Sequence, residues 1–288
     1  MTLFLQALLS GVLIGGAYAL IGIGLTIVFG VMRIINFAHG DLVMMGMYLA
    51  YFLFTIFGID PYLSIFVVYP AMWCFGALLQ KLVVNRVLDA LPQNQILLTI
   101  GIGLILSNTA MLLFTSDYRI LSTPYSSSSI ALGGVSVSAP LLGSFLITSA
   151  VTAVLYWFLM RTDMGQAIRA TAQDREAAQL MGINVRWMSV VATGIGAGLA
   201  AVAGALLAPT YYVFPQVGQP FTLKAFVVVV LGGMGSVLGA TVGGILIGVT
   251  ESLGAIYVSS GLKDLVVYLL FLAILVFRPS GLFGRSRA

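Results

Sequence analysis

The chain has 288 residues, 60% of them apolar and only 8% charged, with a formal net charge of +4, whereas soluble domains carry roughly 25% charged residues. So few charges cannot cover a water-facing surface, which leaves lipid as the solvent and excludes a soluble enzyme. A single cysteine and a single histidine exclude an internal disulfide and a zinc site of the usual three or four nitrogen and sulfur ligands, and basic residues beside apolar runs fit the positive-inside rule better than nucleic acid.

The apolar runs stay continuous over about 20 residues instead of alternating in segments of about 10, which predicts an all-α membrane protein and not a β-barrel. Eight spans are expected, at 3–29, 41–57, 61–80, 95–115, 140–160, 188–208, 236–256 and 262–277. The first has no basic leader and no small-residue cleavage site followed by polar sequence, so it is expected to be retained. Pro61 and Pro140 stand where a first helical turn starts, Pro209 and Pro279 follow helix ends, and Pro70 predicts a kink in the third span. Small-xxx-small pairs (Gly11/Gly15, Gly194/Gly198, Gly239/Gly243 and Gly244/Gly248) allow helix backbones to approach closely, as any tightly packed bundle needs.

Arginines set the orientation. Segment 161–187 holds Arg161, Arg169, Arg175 and Arg186 and is expected to be cytoplasmic, together with 81–94 and the tail bearing Arg278, Arg285 and Arg287. Segment 116–139, with Arg119 and the run Ser126-Ser127-Ser128-Ser129, falls outside, as does 209–220. A single crossing for 221–256 would put the tail on the wrong side. The conflict disappears if 221–231 is a short half-helix that enters from outside and turns at Gly232-Gly233-Met234-Gly235-Ser236. A second interrupted region, 30–41, follows the first span. Paired re-entrant or broken helices in the two halves of a chain point to a transporter core of inverted repeats; if both are plain loops, Arg33 marks a short cytoplasmic turn and the amino terminus lies outside.

Polar residues inside apolar sequence are the candidates for function. Arg33, Asn36, His39 and Asp41 fall within nine residues. Asn36 and Asp41 either cap helix starts or line a pathway, and the two roles can coexist. A proton relay through His39 lacks the neighbouring acids it needs. Glu251 reads as a packed, hydrogen-bonded anchor near the outer end of its span. In 161–187, Asp174 reads as a cap, Arg175-Glu176-Ala177-Ala178-Gln179-Leu180-Met181 as a two-turn helix and Gly182 as its stop. Ala167, Ile168, Thr171 and Ala172 form the apolar side of another short helix. Two such helices form either a knob for a partner's groove or a solvated connection. No G-x-x-x-x-G-K-[ST] occurs, so P-loop binding of nucleotide is excluded and any ATPase is another chain. A nucleophile elbow and H-E-x-x-H are also lacking.

Three passages resemble the permease subunits of bacterial ABC importers for branched-chain amino acids, the LivH-like family. They are Arg33-Ile34-Ile35-Asn36-Phe37-Ala38-His39-Gly40-Asp41-Leu42 with Met44-Met45-Gly46, the loop from Gly165 to Asn184, and Lys224-Ala225-Phe226 leading to Gly232-Gly233-Met234-Gly235-Ser236. Their order and spacing run along essentially the whole chain. The resemblance implies one transmembrane permease domain over 1–288 that catalyses no reaction and holds no cofactor, ATP and Mg being bound by partner ATPase subunits. It implies a second permease subunit, two ATP-binding subunits and a periplasmic substrate-binding protein, in a bacterial inner membrane. Asp174, Arg175, Glu176, Ala177, Ala178 and Gly182 fall where such importers dock onto the ATPase. Asn36, His39, Asp41, Gly232, Gly233, Gly235 and Ser236 are expected at the pathway or its helix breaks. Urea and amide importers share the same core, and an ion-coupled secondary transporter would need an intramembrane acid, for which Glu251 is the one candidate in a long run.

Overall fold

The computed structural model describes residues 2–88, 90–132, 135–278 and 280–283. They form an all-α membrane protein of α1 (Thr2–Met32), α2 (His39–Phe57), α3 (Pro61–Leu82), α4 (Pro92–Phe114), α5 (Ala139–Arg161), α6 (Asp163–Gln173), α7 (Arg175–Leu180), α8 (Val185–Leu207), α9 (Gly218–Gly232), α10 (Val237–Tyr257) and α11 (Lys263–Phe277). Seven of these helices, α1 to α5 with α8 and α10, are long and apolar enough to cross a bilayer. The eighth expected span, 262–277, is the 15-residue α11, about 22 Å long and shorter than a full crossing. Pro61 and Pro140 sit in the first turns of α3 and α5, and α3 continues through Pro70 as one helix. Pro279, Ser286 and the tail arginines Arg285 and Arg287 lie outside the described residues.

The core follows from small residues. α8 is apolar all round and buried over nearly its whole length, the pattern of a helix enclosed by others. α1 packs on α10 in antiparallel fashion, Gly11 against Val249 and Gly248, Gly15 against Ile245 and Gly244. Helices in lipid gain little from hydrophobicity alone, so such close backbone contact is what holds the pair together. A Cβ at Gly244 would collide with the backbone of Ala19, whereas one at Gly101 on α4 meets nothing within 4 Å. Gly244→Leu is therefore expected to lower thermal stability in detergent by at least about 1–3 kcal/mol through overpacking. Gly101→Leu should leave it unchanged, and equal melting of the two variants would show that the α1–α10 seam is not a closely packed one.

The bundle has two distinct ends. Gly30, near the end of α1, stands against Ala172 of α6, and Gln80, near the end of α3, donates to Met32 Sδ at 3.0 Å. These ends share the face that carries 161–187, so the amino-terminal end of α1 is on the opposite face. After α11 the chain returns to the 161–187 face, where Leu282 N donates to Leu231 O at 2.8 Å. On the far face, two short strands, β1 (Ser129–Leu132) and β2 (Val135–Ser138), pair antiparallel with Ile130 opposite Val137. The Ser-rich sequence reads as an outer loop, and the hairpin is not apparent in it. Its one strand signal is the alternation Val135-Ser136-Val137-Ser138, whose valines are buried beside Leu13 while Ser136 faces out. Asp60 fixes this face to α3: its Oδ1 accepts from Tyr62 N and its Oδ2 from Tyr125 Oη, both at 2.8 Å. Burial and that hydrogen bond push the Tyr125 phenol above its ordinary range.

Candidate functional site

The site begins with the interruption after α1. Arg33 has φ of 56°, a left-handed conformation uncommon for a residue with a Cβ. Residues 34–38 then run back beside α4, where Thr99 Oγ1 lies 3.3 Å from Ile35 O. Asn36 shapes the turn into α2: its Oδ1 accepts from Ala38 N at 3.0 Å. His39 opens the helix with its Nε2 3.0 Å from Ile21 O, a level about 16 Å short of the end of α1. α2 thus starts inside the lipid layer. The His39 ring is fully buried against α1 and its Nδ1 has no partner; it faces neither of the cavities described below.

α9 also starts at depth. Gly218 meets Gly40 so closely that neither position has room for a Cβ, and Gly40 N donates to Thr222 Oγ1 at 3.0 Å. The amino-terminal ends of the two interrupted helices therefore touch. Beside them lies a cavity of about 240 Å³ bounded by Asp41 and Phe37, by Ile100 and Ser107 of α4, and by Gln219 and Thr222 of α9. Among the residues expected at the pathway, Asp41 is the one that lines it.

The glycine motif forms the opposite end of α9. Gly232 packs directly on Gly239, Gly233 and Gly235 have φ of 95° and 89°, and Ser236 caps α10 by accepting from Gly239 N at 3.0 Å. The chain does enter from the far face and return to it through α10. The turn reaches deeper than a mid-layer half-helix requires: Gly235 stands beside Gly30, close to the end of α1. The non-helical stretch 209–217 occupies the outer part of that descent, its Val213 bridged to Arg119.

Segment 161–187 is built by caps. Thr162 Oγ1 accepts from Gly165 N to start α6, and Asp174 Oδ1 accepts from the amides of Glu176 and Ala177, both at 3.0 Å, to start α7. Gly182 has φ of 84°; its N–H donates to Gln179 O and that of Ile183 to Ala178 O. This pair of bonds is a Schellman motif, which needs the left-handed residue that glycine supplies. Ala178 is turned inward and only 4% exposed, so its methyl packs within the chain and is not presented to a partner. The most exposed apolar side chains of the segment are Leu180 at 89% and Met181 at 82%. Both were legible as part of the two-turn helix, but no sequence signal told which side of so short a helix faces out. A cavity of about 380 Å³ separates this knob from the end of α1, with Met32 and Arg33 on one side and Asp174, Arg175 and Glu176 on the other.

Residues 7–275 match the family model described as branched-chain amino acid transport system / permease component. The chain belongs to this family. The permease is 34% identical to the high-affinity branched-chain amino acid transport system permease protein BraD of Pseudomonas aeruginosa, with 98% of this chain and 96% of the relative covered. It is 33% identical to LivH of Salmonella typhimurium at the same coverage, and 28% identical to a probable branched-chain amino acid transport permease protein LivH of Methanocaldococcus jannaschii, covering 97% and 92%. No solved structure matches it. It is accordingly a multi-pass membrane transport subunit.

One cluster in the permease was only half visible in the sequence. Glu251 is an anchor, as expected, but its partners are Lys224 Nζ at 2.8 Å and Lys263 Nζ at 2.7 Å. Lys224 is buried, lies 3.2 Å from both Tyr18 Oη and Asp264 Oδ1, and stands over the Tyr18 ring at 4.9 Å. Tyr18 Oη in turn is 3.3 Å from Tyr211 Oη. The cluster ties α9, α10, α11, α1 and the descent 209–217 together. Besides Glu251, its sequence signal was a lone lysine in an apolar run.

Proposed function

We propose that this chain is the membrane-spanning permease of an ATP-driven importer of branched-chain amino acids in a bacterial inner membrane. The observation that carries the reading is the capped, exposed Leu180–Met181 knob on the arginine-rich face, together with the full-length likeness to permeases named for this transport. A permease of this kind works with ATPase and substrate-binding partners. We assign it a second permease subunit, two ATP-binding subunits that hold the ATP and Mg, and a periplasmic substrate-binding protein that docks on 116–139 and 209–217; nucleic acid has no part. The knob is the ATPase contact, and Asp174 and Gly182 act by fixing its shape. The names of the relatives favour branched-chain amino acids over urea or amides. An ion-coupled transporter is disfavoured because Glu251, its candidate acid, already meets two lysines.

The orientation is tested by replacing Ser127 and, separately, Gln179 with cysteine after substitution of Cys74. A membrane-impermeant thiol reagent applied to intact cells is expected to label the cysteine at 127 and not the one at 179. Labelling of both, or of 179 alone, contradicts the placement of the knob in the cytoplasm. The transport reading is tested in proteoliposomes holding the permease with its partners, where ATP inside and labelled leucine carried by the binding protein outside should give uptake. A complex that moves none of leucine, isoleucine and valine would refute it.

A further inference from the structure

We propose that the Asp41 carboxylate receives the α-ammonium group of an amino acid on its way through the permease, with the apolar side chain of the substrate lying against Ile100, Leu104 and Leu223. This inference rests on the amino-acid reading above and adds the chemistry of its passage. Asp41 is 6% exposed, in the first turn of a helix that starts inside the lipid layer. Among the described residues no side-chain cation reaches its carboxylate; the ion pairs of the buried cluster belong to Lys224 and Lys263. A carboxylate at such depth is costly, and the first-turn amides of α2 offset only part of that cost. The surroundings leave it room: a Cβ at Gly103 would stand 2.6 Å from Asp41 Oδ2, so the absence of that methyl keeps the carboxylate clear at the edge of the cavity.

The rest of the lining suits the same ligand. Gln219 adds hydrogen-bonding groups to the lining, Thr222 Oγ1 being engaged by Gly40 N, while Ile100, Leu104 and Leu223 are apolar. These three are also 40%, 56% and 50% exposed, so the cavity opens sideways between α4 and α9 and is reachable from outside the chain. One charge and a loose apolar wall give recognition of a zwitterion bearing a hydrocarbon side chain, without the enclosure that would hold it tightly. Passage requires that combination: favourable entry and ready release.

The test uses the complete importer in proteoliposomes, with labelled L-leucine on its binding protein and ATP inside. Asp41→Asn keeps the size and the helix-start preference of the side chain but removes the charge. It is expected to lower leucine moved per ATP hydrolysed by about tenfold or more, the worth of one charge-assisted hydrogen bond, while hydrolysis stimulated by the loaded binding protein persists. Asp41→Glu should restore most of the transport. Gly103→Ala, which crowds the carboxylate without removing it, should lower transport several-fold with hydrolysis intact. Asp41→Asn uptake within twofold of the unaltered protein overturns the inference and leaves the transport reading standing. Loss of uptake and stimulated hydrolysis together, in Asp41→Asn and Gly103→Ala alike, also overturns it, because that is the behaviour of a residue needed only for structure. An unaltered importer that moves none of leucine, isoleucine and valine removes both readings at once.

Discussion

Replacing Leu180 and Met181 together with aspartate is expected to abolish co-purification of the permease with its ATPases and, with it, ATP-dependent uptake. The two side chains are among the most exposed apolar groups in the chain, and they project from a helix fixed at one end by Asp174 and at the other by Gly182. Setting unpaired charges into a partner's apolar groove costs several kcal/mol, which corresponds to more than about a hundredfold in association. Both side chains are almost wholly exposed, so the double variant should reach the membrane in normal amount and melt normally. Ser127→Asp on the opposite face is the control and should keep the ATPases attached. Ala178→Asp is not a docking test, because that methyl is buried inside the chain and its loss unseats the loop itself. If the double variant retains full ATPase attachment and uptake, segment 161–187 is only a solvated connection.

The second large effect is expected at the buried ion cluster. Glu251→Gln leaves Lys224 buried with Asp264 as its remaining counter-charge, at 3.2 Å and partly exposed to solvent. Removing one partner of a buried pair typically costs about 3–5 kcal/mol, so Glu251→Gln and Lys224→Met should each markedly shorten the half-life of the detergent-solubilised protein on heating. The double substitution Lys224→Met with Glu251→Met replaces the pair with apolar volume and should recover much of the loss. A cycle in which the double variant is as unstable as the sum of the two singles would show that the residues are not coupled. Unchanged stability in either single variant would show that the cluster carries no structural weight.

Much of the architecture is written in apolar runs, because a helix in lipid must bury every backbone polar group within itself and leaves a continuous hydrophobic stretch as its trace. Pro61, Pro140, Asp174 and Gly182 mark ends by rules that act over three or four residues, and they sit where those rules put them. What escaped depends on distance. That α2 starts level with Ile21 is a consequence of contacts between His39, α1 and α9, and a sequence window over 30–41 shows a break without its depth. The inward turn of Ala178 and the outward turn of Leu180 are settled by packing against neighbouring helices, not by hydrophobicity, which would order them the other way. The pairing of Lys224 with Glu251 joins residues on two helices and has no local pattern. Asp41 was legible as an unusual acid in an apolar context, and the glycine on α4 that gives it space was not.

The close stacking at both ends of α9 has a mechanical meaning. At its lower end Gly232 abuts Gly239, Leu282 and Phe283 donate to its last two carbonyls, and the turn that follows stands, like Ala172 of α6, against Gly30. At its upper end Gly218 abuts Gly40, where α2 begins. Between these seats lies a rod of about 22 Å whose length is fixed by its hydrogen bonds. A rod seated without slack transmits thrust: when α6 and α7 are displaced by an ångström, the start of α2 must tilt, slide or part from Gly218, because α9 cannot shorten to absorb the movement.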